Sequence, residues 1–167
     1  MRVRLATSAD ATAIAETFAR VAEEGLIATE PPVDVAERAE RFRARIESDG
    51  PEACWVLEDE GEILGGASVG EHVPGVLSLG MSIVPEGRGK GGGRALLEAV
   101  IDHARTVGAH KVDLEVWPDN ARAIALYASA GFEVEGLRRR HYRRRDGSLR
   151  SALLMGFPVD SPEATER

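Results

Sequence analysis

Cysteine is nearly absent: Cys54 is the only one, so the chain has no partner for an internal disulfide. It lies in the apolar run Ala53-Cys54-Trp55-Val56-Leu57, where a thiol is core filler rather than a nucleophile. No apolar run is long enough to span a bilayer. Arg2 and Arg4 flank a short strand-like run where a secretory leader would need a long apolar stretch. A cytoplasmic protein is expected. Positive charge is in deficit, 21 Lys and Arg against 28 Asp and Glu for a net charge of −7, which argues against nucleic acid or a membrane surface as partner. The four histidines, His72, His103, His110 and His141, lack the spacing of metal ligands, so no metal site is expected. With 43% hydrophobic and 29% charged residues in 167, the chain suits one soluble domain over 1–159 and a polar tail, 160–167, that frays.

Val3 and Leu5 alternate with arginines as a first strand, and Thr7-Ser8-Ala9-Asp10 offers caps for a helix carrying Ile14, Phe18 and Val21. Gly25 ends that helix, and Leu26 to Pro32 follows as an extended connector. Asp34 caps a second helix with Val35, Ala39, Phe42 and Ile46 inward; its charge run reads as a solvated face. Cys54–Leu57, Ile63–Val69 and Val76–Val84 then form an antiparallel meander. A third helix, with Leu96, Leu97, Val100, Ile101 and Ala104 on one face, leads to a strand at Val112, Leu114 and Val116. A helix joins that strand to the one before it, so the two must run parallel. A fourth helix over Ala121–Ala130 ends at Gly131, and a final hairpin turns at Asp146-Gly147.

The most informative stretch is Ser82 to Leu97, where an apolar strand breaks at Pro85, passes through Gly87, Gly89, Gly91, Gly92 and Gly93, and enters a helix. Unpaired amides at a helix start, beside Arg88, Lys90 and Arg94, make a cradle for a phosphate or pyrophosphate. The Walker pattern fails, because no Gly-Lys-Ser/Thr follows. Gly87, Gly89 and Gly92 match Gly-x-Gly-x-x-Gly literally, with Asp113 in range, yet only one strand-loop-helix-strand unit of that kind is visible. A third pattern, Arg-x-x-Gly-x-Gly, is satisfied by Arg88, Gly91 and Gly93.

In that form the loop resembles motif A of the GCN5-related N-acetyltransferases (GNAT). Asn120 to Phe132 resembles their motif B, Asn-x-x-Ala-x-x-Leu-Tyr-x-x-x-Gly-Phe. The resemblance covers nearly the whole chain. It implies an α/β (α+β) fold with a mixed central sheet of order β-α-α-β-β-β-α-β-α-β-β and splayed parallel strands. The activity implied is acetyl transfer from acetyl-coenzyme A to a primary amine in a ternary complex.

Position by position, the resemblance puts pantetheine contacts on Met81, Ser82 and Ile83, and the pyrophosphate on Arg88, Gly89, Lys90, Gly91, Gly92, Gly93 and Arg94. Asn120 either contacts the pantetheine arm or caps the fourth helix. The amide of Ile83 is the candidate oxyanion donor. Tyr127 matches the general acid that serves the leaving sulfur, with aromatic packing as its structural alternative. No carboxylate stands on the strand before the loop. Glu115, spaced from Tyr127 as in the ribosomal-protein-alanine enzymes, is either the general base or an exposed strand carboxylate.

Two resemblances bear on the acceptor. Thr29-Glu30-Pro31 is similar to the connector of phosphinothricin and methionine-sulfone acetyltransferases, which modify amino-acid-like molecules, whereas the Arg138–Met155 hairpin is similar to protein-N-terminal enzymes. Glu30, His72 and His141 are the candidate acceptor contacts. The hairpin's seven arginines between Arg138 and Arg150 attract an acidic group or discourage edge pairing. A small-molecule amine is the expected partner, the resemblance leaves room for a homodimer, and a silent acyl-coenzyme A sensor on the same fold is the competing class.

Overall fold

The computed structural model describes residues 1–159; the tail 160–167, expected to fray, lies outside the described residues. The chain runs β1 (Arg2–Leu5), α1 (Ala11–Glu23), α2 (Val35–Ile46), β2 (Ala53–Asp59), β3 (Glu62–Val73), β4 (Val76–Ile83), α3 (Gly92–Thr106), β5 (Lys111–Val116), α4 (Ala121–Ser129), β6 (Glu133–Arg143) and β7 (Leu149–Pro158). This is the order that the sequence motifs imply. The seven strands form one mixed sheet of order β1-β2-β3-β4-β5-β7-β6, with β4 and β5 its parallel pair. No helix among the described residues is long and apolar enough to cross a membrane.

The alternation along β2 separates two environments. Trp55 and Leu57 join the main core with Leu96, Leu97, Val100 and Ala104 of α3. Cys54 points the other way, into a cleft that it shares with Phe42 of α2. Burial pushes the Cys54 thiol up to about 11, so it stays protonated and inert at neutral pH. Asp34 caps α2 by accepting from the Glu37 amide at 2.9 Å, while Ala11, Ala15 and Ala39 let α1 and α2 pack closely.

One feature sets up the site. β4 and β5 pair only at Val76↔Lys111, Leu77↔Val112 and Ser78↔Asp113. Beyond Ser78, β4 keeps its ladder with β3 to Gly65↔Ile83, while β5 keeps its own with β7 to Val116↔Leu153. The parallel strands therefore fork, and backbone groups on the facing edges are left without a ladder partner. Gly65 holds the edge of the fork: a Cβ there would lie 2.4 Å from the Ser82 carbonyl oxygen and 2.7 Å from the Ile83 Cα.

Entry to α1 is anchored by charge. Asp10 accepts from the Thr7 amide at 2.7 Å and from Arg4 Nη1 and Nη2 at 2.8 and 2.9 Å, and Arg4 also reaches Glu58 of β2 at 2.7 Å. The Arg4 guanidinium holds the Asp10 carboxyl well below the usual carboxylate range. A depressed folded pKa contributes stability that is present above the unfolded value near 4 and is lost as pH falls through it. Asp10→Asn is expected to lower stability at pH 7 by about 1–3 kcal/mol and to flatten the acid limb of a pH-dependent urea-unfolding series. An unchanged acid limb would assign that limb to other carboxylates.

Candidate active site

A cleft of about 1530 Å³ runs between α1 and α2 on one side and the fork, the glycine loop and α4 on the other. At one end Gly91, the N-cap of α3, has φ +86, and Gly89 has φ +73. Added Cβ atoms at Gly89 and Gly91 would meet nothing within 4 Å, so the loop leaves open space above the amides of the first turn. The neighbouring glycines serve packing instead. A Cβ on Gly92 would come within 2.4 Å of Leu57 Cδ2, and one on Gly93 within 2.8 Å of Leu126 Cδ2.

The cationic side chains are less concentrated on the loop than the sequence suggests. Arg88 donates to the Ile83 carbonyl at 2.7 Å and to both oxygens of Glu24 at 2.8 and 2.5 Å, so its charge is met by α1. Lys90 is exposed and outside the cleft wall. Arg94 lines the cleft and donates to the Ser129 hydroxyl at 2.8 Å.

The fork supplies directed backbone donors. Val84 donates to the Leu64 carbonyl at 2.9 Å, and the register sets Ser82 opposite Gly66. Alternation along an antiparallel ladder then turns the amides of Met81 and Ile83 away from β3 and into the gap. Met81, Ser82 and Ile83 all line the cleft, as do Asn120 at the start of α4 and Tyr127 in its last turn. Asn120 Oδ1 caps α4 by accepting from the Ala123 amide at 3.3 Å. Tyr127 is 7% exposed, packs against Phe132 at 5.8 Å between ring centroids, and is pushed up to about 12 by burial. A phenol so placed keeps its proton at neutral pH.

Glu115 also lines the cleft, but neither carboxylate oxygen is free: Arg138 donates to Oε1 and the Tyr142 hydroxyl to Oε2. Tyr142 stands in the cleft wall and reaches Glu115 because β6 bulges between Arg138 and Tyr142, two strand positions that face Ala152 and Arg150 of β7. At the bulge, Arg140 adopts φ +52 and its amide donates to the Ser151 hydroxyl at 3.0 Å. Burial, and then the neighbouring Glu115, push the Tyr142 phenol up to about 12. Trp117 lies edge-on to Tyr142 at 5.3 Å with Arg150 over its face at 4.6 Å. The Trp117 indole nitrogen is buried without a hydrogen-bond partner.

The three expected acceptor contacts separate. His72 lines the cleft, its Nε2 3.0 Å from Asp113 Oδ2 at the root of the fork. Glu30 does not. Its carboxylate accepts from the Arg145 amide at 3.1 Å and lies 3.5 Å from Arg144 Nε, tying the connector to the last hairpin. His141 is exposed outside the cleft, edge-on to Tyr142 at 5.0 Å. The expectation that α2 carries only a solvated charge face is also corrected, because Arg38 and Arg45 of that helix line the cleft. Tyr142, Trp117, Arg38 and Arg45 enter the site through tertiary packing. Only the arginines left a trace in the sequence, at i and i+7 with Phe42 between them.

A forked parallel pair, an open helix start and a buried phenol thus share one cleft. The chain belongs to the Acetyltransferase (GNAT) family, whose profile matches residues 17–132. It is 37% identical over 113 residues to an L-methionine sulfoximine/L-methionine sulfone acetyltransferase of Pseudomonas paraeruginosa, a match covering 64% of this chain and 64% of that relative. It is 32% identical over 140 residues to an L-amino acid N-acyltransferase of Escherichia coli, covering 80% of each. Among solved structures, a GNAT superfamily phosphinothricin acetyltransferase of Sinorhizobium meliloti in complex with acetyl-coenzyme A superposes with a TM-score of 0.86 at 25% identity, covering 99% of this chain and 91% of that one.

Proposed function

We propose that the chain is an N-acetyltransferase that moves an acetyl group from acetyl-coenzyme A to the primary amine of a small amino-acid-like acceptor, by direct attack in a ternary complex. The observation that carries this is the fork, which turns the Met81 and Ile83 amides into a gap beside the open N-terminal turn of α3. The residues fit the coenzyme: Gly89 and Gly91 leave room for close backbone approach, and the amides of Gly92, Gly93 and Arg94 would hold its pyrophosphate. When bound, the coenzyme supplies an acetyl thioester. The Ile83 amide donates to the oxygen on which negative charge develops. Tyr127 would hold the proton that a leaving thiolate takes up. On the acceptor side, the Tyr142 oxygen takes a proton from the amine as its own passes to Glu115, which Arg138 holds in place. A buried, free Cys54 fits a reducing, cytoplasmic setting.

The coenzyme assignment is checked by calorimetry on Gly91→Val. A β-branched side chain at φ +86 both strains the cap and fills the space above the amides, and the expected loss of affinity is at least about tenfold. Unchanged affinity in a variant that melts cooperatively would overturn the assignment. A thiol-release assay across amino acids, polyamines, antibiotics and peptide N-termini separates an enzyme from a silent acyl-coenzyme A sensor, which would release nothing beyond the blank.

A further inference from the structure

Four arginines of α2 divide into two kinds. Arg41 and Arg43 stay off the cleft wall, each paired one turn back, with Glu37 at 2.5 Å and with Glu40. Arg38 and Arg45 lie two turns apart with Phe42 between them, and all three line the cleft. Among the described residues neither Arg38 nor Arg45 has a salt-bridge partner. Arg38 lies over the Phe18 ring at 4.4 Å, and its polar contact is a long one, 3.4 Å to the Thr29 hydroxyl. Arg45 Nη1 is 3.1 Å from the hydroxyl of the buried Ser68. Burial, and then the nearby Arg41, pull the Arg38 guanidinium below its ordinary value. The nearest carboxylate to Arg45 is that of Glu52, which flanks the same Gly70 position without closing an ion pair, so both guanidinium groups keep donors for a bound anion.

Their position selects which anion. Ser68 stands opposite Gly80 of β4, three residues before Ile83, which is roughly 10 Å along the strand. The pair therefore sits up the fork from the proposed transfer point, at the opposite end of the cleft from the glycine loop and the coenzyme's phosphates. The wall beside the pair carries the apolar Phe18, Leu26, Ile27 and Phe42, with the carboxylates Glu52 and Glu71 on the strand side. Arginine also offers the planar donor pair that suits a carboxylate.

We propose that Arg38 and Arg45 bind the carboxylate of the acceptor, so that this site takes free apolar amino acids in preference to peptide N-termini and simple amines. The proposal rests on the acetyltransferase reading for the identity of the acceptor, but not for the existence of the anion site. A peptide N-terminus presents the same amine with an amide in place of the carboxylate, and would leave both guanidinium groups without a counter-ion.

The test is calorimetry on protein saturated with coenzyme A, which cannot transfer, using L-leucine, L-methionine and L-phenylalanine, each against its amide. At least one free acid is expected to bind about 10- to 100-fold more tightly than its amide, the range of a charge-assisted hydrogen bond. Arg38→Gln and Arg45→Gln should each erase that preference while amide and coenzyme affinities stay put. Arg41→Gln, on the outward face, should change nothing. Amides that bind as well as acids, failure of all three acids to bind, or equal loss in Arg41→Gln would each overturn the proposal. The same pairs with acetyl-coenzyme A separate the two readings. Transfer to amides at the same kcat/KM as to acids overturns the carboxylate site alone. Selective acid binding with no transfer to any amine overturns the acetyltransferase reading and leaves the carboxylate site standing.

Discussion

Tyr127→Phe is expected to lower turnover by about 10²–10⁴-fold, with coenzyme affinity nearly intact and no recovery at any pH. The phenol is buried beside Phe132 and is pushed up to about 12, so it carries a proton throughout the working range. Removing one oxygen leaves the ring packing in place, which separates chemistry from stability. The missing proton becomes no easier to supply as pH rises, so the departing thiolate must leave unassisted. Turnover against pH at saturating coenzyme, together with a thermal melt, is the measurement. A variant that keeps wild-type turnover would reduce Tyr127 to an aromatic packing residue of α4.

Glu115→Gln is expected to behave differently, falling by about 10²-fold near neutral pH and recovering as pH approaches the pKa of the acceptor amine. Glutamine can still accept from Tyr142 but cannot take the proton, so the rate follows the fraction of acceptor already uncharged. Tyr142→Phe should show the same recovery, because it breaks the same path at its cleft end. Full activity of Tyr142→Phe with a damaged Glu115→Gln would place a water between Glu115 and the amine. Full activity of both near pH 7 would leave Glu115 as the ion-pair partner of Arg138 and move the base to Glu71 or His72, both in the cleft wall.

Local signals were strong wherever a residue's job depends on its own neighbours in the chain. Asp34 before a helical stripe is a cap whatever surrounds it, and its bond to the Glu37 amide follows from spacing alone. Glu60-Gly61 between alternating apolar runs becomes a tight turn with φ +49 and +87; Gly61 accepts its angle freely, and the Asp59↔Glu62 pairing holds Glu60 in its own. The glycine loop is legible for the same reason, since a left-handed helix cap needs glycine at fixed offsets. Composition could not say which glycines face open space. Gly91 opens onto empty space while Gly92 lies under Leu57, a residue 35 positions earlier in the chain that only the β2–α3 packing brings there.

By itself the sequence determined the element order, the parallel step between β4 and β5, the open glycine loop at the start of α3 and the place of the phenol on α4, because periodicity, caps and turn residues act over a few positions. The tertiary structure decided what those parts meet. It drew Arg88 away to Glu24 and bound both oxygens of Glu115 to Arg138 and Tyr142 across the sheet. It tied Glu30 to the last hairpin and turned Arg38 and Arg45, read as part of a solvated face, into the cleft. Ion pairing and desolvation depend on distance in space, and a linear pattern of charges does not record which of them share a wall.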